Sequence, residues 1–136
     1  MTPTAAELRH ALANDLIIDI VTTGAQTGQE RVTEIWFVRI DGEIFICGTG
    51  APNDEPGSSR PRDWLANLKA NPNFVFRLKE SVQADLAAVA EEVTDEPTRR
   101  RVFSAPETQW YRDNGGSVER LVKTGPLVRV TDIDMV

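Results

Sequence analysis

The stretch TTGAQTGQERVTEIWFVRIDG, residues 22–42, places a polar turn with two glycines directly before a long run of strand-forming residues. The β-branched and aromatic side chains over residues 31–40 predict a strand. The dipeptide Asp41-Gly42 that follows suits a two-residue turn in which the backbone adopts positive φ. A second apolar run over residues 43–49 therefore predicts a β-hairpin at the centre of the fold.

A two-residue turn also predicts the register of this hairpin, because Ile40 then faces Glu43. Counting away from the turn, we expect Trp36 opposite Cys47, Ile35 opposite Gly48 and Thr33 opposite Gly50. The start of the first strand and the glycine-rich segment CGTG, residues 47–50, are thus expected to lie side by side.

Further strands are predicted over residues 16–21, 74–79, 82–93 and 127–133. Residues 82–93 are rich in alanine and glutamate and also allow a helix, but the alternation of Ala84, Leu86 and Ala88 favours a strand. Helices are predicted over residues 7–13, 61–71, 99–103 with a cap at Asp95, 107–114, and from a cap at Ser117 to Gly125-Pro126. Six short strands with short connections indicate a mainly β fold with inserted helices (α+β), an antiparallel closed or split barrel.

Composition narrows the classes of function. The 136 residues suit one domain, residues 1–136, and the net charge of -6, from 15 Lys and Arg against 21 Asp and Glu, argues against a nucleic-acid binder. One cysteine and one histidine argue against an internal disulfide and a metal site. The polar N-terminal segment contains neither a secretory signal nor a membrane span, so we expect a cytoplasmic protein.

Three separated segments are predicted to converge on one anion. Arg31 and Thr33 begin the hairpin, and a helix is expected to start close to two further arginines. Helix N-terminal amides beside guanidinium groups favour phosphate or carboxylate. The segments contribute Arg31 and Thr33; Gly48, Thr49 and Gly50; and Arg60 and Arg62.

Flat ring systems also suit this region, because glycine allows a ring to approach the backbone closely and Trp36 and Trp64 offer stacking surface. Each of these residues has an ordinary structural alternative. The glycines shape turns, tryptophans pack in cores, and Cys47 is a small buried side chain. From the residues alone both interpretations stay open.

Nucleophilic hydrolysis is weakly supported, because the chain has no glycine-flanked serine elbow and only one histidine, His10. Redox chemistry requires fewer catalytic side chains, since a cofactor carries out the reaction and the protein positions the cofactor. Tyr111 is a candidate proton donor or substrate contact.

The ordered segments TTGAQTGQERVTEIWFVRIDG, IFICGTG, RDWLANLKANP and GPLVRV resemble the deazaflavin-dependent nitroreductase/quinone reductase family. This family lies within the split-barrel flavin-binding proteins related to pyridoxamine phosphate oxidase. The resemblance covers residues 16–130. It implies a six-stranded antiparallel split β-barrel that binds the deazaflavin coenzyme F420 or, in related branches, FMN, and it leaves monomer and homodimer open.

By this resemblance, cofactor contacts fall on four segments of the chain. They are Ala25, Gln26 and Thr27 in the turn; Arg31, Thr33 and Trp36 in the first hairpin strand; Cys47, Gly48, Thr49 and Gly50 after the second; and Asp63, Trp64 and Asn67 on the following helix.

The chain departs from the family pattern at three positions. Ala25 stands where an arginine is common, and a lysine near Gly50 is missing, so two cations for the acidic end of the cofactor are absent. Arg60 and Arg62 are candidates to replace them. Glu34 replaces a proline, which is expected to bring an acid near the pocket.

The resemblance implies an oxidoreductase that transfers hydride from reduced F420 or a flavin to a small electrophile such as a quinone, enone or nitro compound. A barrel that binds or sequesters a flavin, haem or lipid without turnover is the alternative.

Overall fold

The computed structural model describes residues 2–49 and 63–134. In chain order the elements are α1 (Ala5–Asn14), β1 (Ile17–Thr23), β2 (Glu30–Ile40), β3 (Glu43–Cys47), α2 (Asp63–Ala70), β4 (Asn73–Leu78), β5 (Ala84–Glu92), α3 (Glu96–Ser104), a 3₁₀ turn (Pro106–Thr108), α4 (Gln109–Gly115), α5 (Val118–Thr124) and β6 (Leu127–Ile133).

The six strands close into an antiparallel barrel in the order β1-β2-β3-β6-β5-β4, which confirms the predicted fold class. Residues 84–92 are a strand, as their alternation indicated. The predicted caps are also present, because the Asp95 side chain accepts the Thr98 amide and the Ser117 side chain accepts the Arg120 amide.

The central hairpin has the predicted turn. Ile40 pairs with Glu43, and the turn residues Asp41 and Gly42 have φ of 52° and 80°. These positive values are the left-handed conformations that a two-residue hairpin turn requires, and glycine adopts them without a Cβ clash.

The hairpin ladder is shorter than predicted. Its last pair is Phe37 with Ile46, and β3 ends at Cys47. Gly48 donates its amide to the Pro126 carbonyl at 3.2 Å, because the chain here follows β6 and leaves β2. The predicted pairs Trp36–Cys47 and Ile35–Gly48 are therefore not formed, and the predicted Thr33–Gly50 pair falls on Gly50, outside the described residues.

Two apolar clusters flank the sheet. The inner cluster fills the barrel and is closed by α1 and α2, and its members include Leu12, Ile18, Phe37, Trp64 and Phe76. The outer cluster lies between the other face of the sheet and α3 to α5, and its members include Phe45, Cys47, Phe103, Tyr111 and Leu121. The barrel thus places β2 and α2 around one end of β1. No helix in residues 2–49 and 63–134 has the length and apolar character needed to cross a membrane.

Candidate functional site

A cavity of about 390 Å³ lies between the β1–β2 turn, the start of β2 and α2. It brings together, from separate segments, many of the residues that the sequence predicted as cofactor contacts. Its described lining consists of Gly24, Ala25, Gln26, Thr27, Arg31, Val32, Thr33, Trp64, Ala66 and Asn67.

The turn that forms one wall is internally hydrogen-bonded. Gly24 donates its amide to the Gln29 carbonyl at 2.7 Å, and the Gly28 amide donates to the Gly24 carbonyl at 2.9 Å. The Gln29 amide donates to Thr27 Oγ1 at 3.2 Å. A Cβ on Gly24 would lie 2.8 Å from Thr27 Oγ1, so a larger residue there would disturb the bond between Thr27 and Gln29.

Asn67 joins this turn to α2. Its Oδ1 accepts the Ala25 amide at 2.9 Å, and its Nδ2 donates to Thr22 Oγ1 at 3.3 Å. Asn67 and Thr22 are both buried, so these hydrogen bonds satisfy polar groups that water does not reach. The sequence resemblance nominated Asn67 but gave no sign of Thr22, whose role depends on a contact across 45 residues.

Several hydrogen-bond donors in the cavity have no acceptor among residues 2–49 and 63–134. Within the described chain, the amides of Gln26 and Thr27 donate to no other group, and the Arg31 side chain forms no hydrogen bond or ion pair. Thr27 Oγ1 accepts from Gln29, which leaves its O–H available to donate. Arg31 is the charged residue of the described lining, so the cavity is locally cationic in an acidic protein. This arrangement suits a phosphate or carboxylate group.

Trp64 forms an apolar wall of the same cavity. The residue is 7% exposed and also packs in the inner cluster. A Cβ on Gly48 would lie 4.0 Å from Trp64 Cζ2 and 3.2 Å from Pro126 Cγ, so the Gly48 backbone runs close to the indole. Gly48 packs against Trp64 and is not part of the described lining, so the aromatic surface that this cavity offers to a flat ring is that of Trp64.

Trp36 lies away from this cavity. Side chains alternate along β2, so Arg31 and Thr33 share one face of the strand while Glu34 and Trp36 share the other. The Trp36 ring is packed on Trp110, with centroids 5.3 Å apart, and both indoles remain partly exposed on the outer surface.

Glu34 occupies that outer face too, which makes the expectation of an acid near the pocket wrong. Its carboxylate is hydrogen-bonded to Lys79, and Lys79 also binds Asp19 at 2.8 Å. The period of two along a strand gives the physical reason, because residues 31 and 34 cannot point to the same side.

Cys47 and Tyr111 contact each other in the outer cluster and do not line the cavity. Burial raises the pKa of the Cys47 thiol to about 12, and the hydrogen bond with Tyr111 only partly offsets this effect. Burial likewise raises the pKa of Tyr111, with the nearby Cys47 adding to the shift. Both groups therefore stay protonated and unreactive at neutral pH.

Four nominated residues can be placed only in part or not at all. Gly50, Arg60 and Arg62 lie outside the described residues. Asp63 begins α2, and its side chain is likewise outside the described part. Thr49 follows Gly48 and is half-buried.

A larger cavity of about 650 Å³ lies between α2, α3 and α5. The Arg99 side chain in its lining is already hydrogen-bonded within the protein. Arg99 donates to the backbone carbonyls of Val93, Leu121, Val122 and Gly125, a set of bonds that ties α3 to the end of α5. Because these bonds use nearly all of the guanidinium N–H groups, we assign Arg99 a structural role.

Solved structures share this fold. A Clostridium acetobutylicum protein related to general stress protein 26, of the pyridoxinephosphate oxidase family, has a TM-score of 0.65 at 14% identity over 93% of this chain and 82% of that chain. An F420 reductase has a TM-score of 0.60 at 16% identity over 94% and 96% of the two chains. An F420-H2 dependent reductase, FDR-A, has 0.51 at 20% identity over 85% and 94%. At these identities the likeness shows the fold, a split barrel.

The family assignment comes from the sequence itself. The family model described as F420H(2)-dependent quinone reductase matches residues 4–124, which is most of the chain. This match confirms the resemblance and the expected deazaflavin cofactor. The chain belongs to the F420H2-dependent quinone reductase family, a family of deazaflavin-dependent reductases whose cofactor is coenzyme F420.

Proposed function

We propose that this protein uses reduced coenzyme F420 to reduce a small electrophile of the quinone, enone or nitro class. The observation that carries the proposal is the convergence of Arg31, the free Gln26 and Thr27 amides and Trp64 on one cavity. Reduced F420, when bound, supplies a hydride to the acceptor. Family membership supports the cofactor, and the acceptor class rests on the resemblance of the sequence.

The cavity fits the phosphate-bearing end of such a cofactor. Arg31 supplies a charge-assisted donor, and Thr27 adds its hydroxyl to the two free amides. Ala25 has no side-chain donor where the family commonly has arginine, so Arg31 carries more of the charge here. We propose that Arg60 and Arg62, together with Asp63, Thr49 and Gly50, complete the site from the segment before α2.

The ring is proposed to lie against Trp64, beside the start of β2. Within the described chain β3 pairs with β2 only from Phe37 onward, so the earlier part of β2 has a free edge on that side. Backbone amides and carbonyls of a free edge are ready partners for the polar rim of a heterocycle. Thr33 faces the cavity from this part of β2.

We propose that the proton accompanying the hydride comes from water. The described lining contains Arg31 as its titratable group, and Tyr111 is buried against Cys47 in the outer cluster. Hydride and proton together deliver two electrons and two hydrogens to a quinone. A Tyr111→Phe variant is therefore expected to keep the turnover rate within about twofold, whereas a Tyr111 proton donor would cost about 100-fold or more.

Binding and turnover test the proposal in two steps. Purified protein is titrated with oxidised F420 and, in parallel, with FMN, and the change in fluorescence gives each dissociation constant. We expect micromolar or tighter binding of F420 and weaker binding of FMN. Oxidation of reduced F420 is then followed with a quinone, an enone and a nitro compound. Lack of F420 binding overturns the proposal.

Tight binding of F420 without turnover of any acceptor would instead support the non-catalytic, sequestering barrel. The cytoplasmic location and the homodimer stay predictions. Sedimentation velocity with and without F420 tests the homodimer.

A further inference from the structure

We propose that Thr22 and Asn67 form a positioning pair that sets the affinity for the phosphate end of the cofactor through the turn, and that Thr22 does so without touching the cofactor. This inference rests on the proposed function. It assigns a role to Thr22, which does not line the cavity, and it gives Asn67, which does, a supporting role as well.

The carbonyl oxygen and one N–H of the Asn67 side-chain amide form hydrogen bonds within the protein. Oδ1 accepts the Ala25 amide at 2.9 Å and Nδ2 donates to Thr22 Oγ1 at 3.3 Å. Asn67 is 7% exposed and Thr22 is 1% exposed, so water does not compete for these bonds. Buried and bonded in this way, the amide holds a fixed orientation.

The pair connects three parts of the site. Asn67 lies on α2, Ala25 lies in the turn, and Thr22 lies on β1 directly across the ladder from Arg31. One amide side chain therefore fixes the turn relative to the helix and to the strand position that carries the cation. In the described chain it is the side-chain link between the turn and α2.

The bonded amide of Ala25 comes immediately before the two free amides. The bond to Asn67 fixes the orientation of the peptide plane that contains the Ala25 N–H. This plane in turn restricts the directions of the Gln26 and Thr27 amides, which come next in the chain. Residues 25–28 are exposed, so little packing would hold this orientation otherwise. Donors that are oriented before the ligand arrives bind it more tightly, because less ordering entropy is lost on binding.

Thr22→Val tests the pair with the smallest change. The variant keeps the shape of the side chain and removes the hydroxyl, Thr22→Ser restores the hydroxyl, and Thr23→Val is the matched control on the neighbouring residue, whose side chain faces the other side of β1. Dissociation constants are measured for F420 and for the deazaflavin core that lacks the phosphate, at a temperature where every variant is folded.

We expect Thr22→Val to weaken F420 binding about tenfold, to leave binding of the phosphate-free core within about twofold, and to raise the KM for F420 more than it lowers kcat. Thr22→Ser should recover most of the affinity, and Thr23→Val should resemble the wild type. Amide hydrogen exchange of Gly28 and Gln29 should accelerate in Thr22→Val alone.

The outcomes separate the two proposals. If the wild type binds F420 but Thr22→Val lowers only the unfolding temperature, or weakens both ligands equally, the positioning role is overturned while the proposed function stands. If the wild type binds no F420, the proposed function fails and the inference fails with it.

Discussion

Asn67 on α2 accepts the backbone amide of Ala25 at 2.9 Å, across 42 residues of sequence. This bond places the β1–β2 turn against the helix that carries Trp64, and the space left between them is the cavity. The phosphate-binding donors and the apolar wall thus come from segments that only the closed barrel brings together.

Arg31 is expected to supply most of the charge that the described cavity offers to the cofactor. Arg31→Ala should weaken F420 binding about tenfold, because a charge-assisted hydrogen bond contributes about 1.5 kcal/mol at a solvent-accessible site. The loss should shrink as salt is added, since the ion pair is screened. Titrations at two ionic strengths measure both effects.

Arg39→Ala is the matched control, because Arg39 is exposed at the far end of the same strand. It removes the same charge from the protein. Equal loss of affinity in the two variants would mean that only net charge matters and that Arg31 does not contact the cofactor.

Gly24 is expected to be needed for space. A Cβ there would lie 2.8 Å from Thr27 Oγ1 and 3.2 Å from the Gln29 carbonyl, so in Gly24→Ala the Thr27 side chain must move and the turn must shift slightly. The expected cost is about 1–3 kcal/mol in the free energy of unfolding, together with weaker F420 binding. Urea unfolding and fluorescence titration measure the two effects.

Gly28→Ala gives the comparison, because a Cβ on Gly28 meets open space and the strain comes only from its φ of 71°. That strain costs about 1 kcal/mol and does not push on Thr27. Stronger loss of F420 affinity in Gly28→Ala than in Gly24→Ala would contradict the described turn.

Trp36 in the hairpin and Trp64 in α2 are expected to differ in function. Trp64→Leu should weaken binding of the deazaflavin core about twofold to tenfold, since aromatic contacts contribute about 0.5–1.5 kcal/mol. Trp36→Leu should leave binding within twofold, because the Trp36 ring packs on Trp110 at the outer surface. Titrations with the phosphate-free core decide this, and the reverse order of effects would place the ring on the outer face of β2.

Cys47 is expected to make the protein less stable in alkali. Burial raises the pKa of its thiol from 9.0 to about 12. Above pH 9 the unfolded chain loses this proton while the folded chain keeps it, so the free energy of unfolding falls as the pH rises towards 12. The contribution is fully present below pH 9.

Urea unfolding of the wild type and of Cys47→Ala between pH 8 and about pH 10.5 measures this dependence. Above pH 9 the wild type should lose stability with a steeper slope than the variant, by an excess that approaches about 1.4 kcal/mol per pH unit near the upper end of this range. Parallel slopes would show that the thiol is not buried as described.

Local sequence patterns predicted much of the barrel. The Asp41-Gly42 turn, the strand over residues 127–133 and the caps at Asp95 and Ser117 all depend on neighbours within a few residues. These features carry a strong local signal, because turn geometry and helix capping are fixed by the residues themselves.

The site was less predictable because its geometry depends on distant contacts. Trp36 and Phe37 are both aromatic, and only the closed barrel decides that Phe37 faces inward and Trp36 outward. The same alternation of side chains along β2 places Glu34 on the outer face, away from the cavity. The sequence around Thr22 gave no indication of its role, because its hydrogen bond to Asn67 spans 45 residues.

The most direct test of the central claim is a crystal structure of the protein with coenzyme F420 bound. We expect the phosphate within about 3 Å of the Gln26 or Thr27 amide nitrogen and of the Arg31 guanidinium, with the ring beside Trp64. A phosphate bound elsewhere, with this cavity holding only solvent, would contradict it.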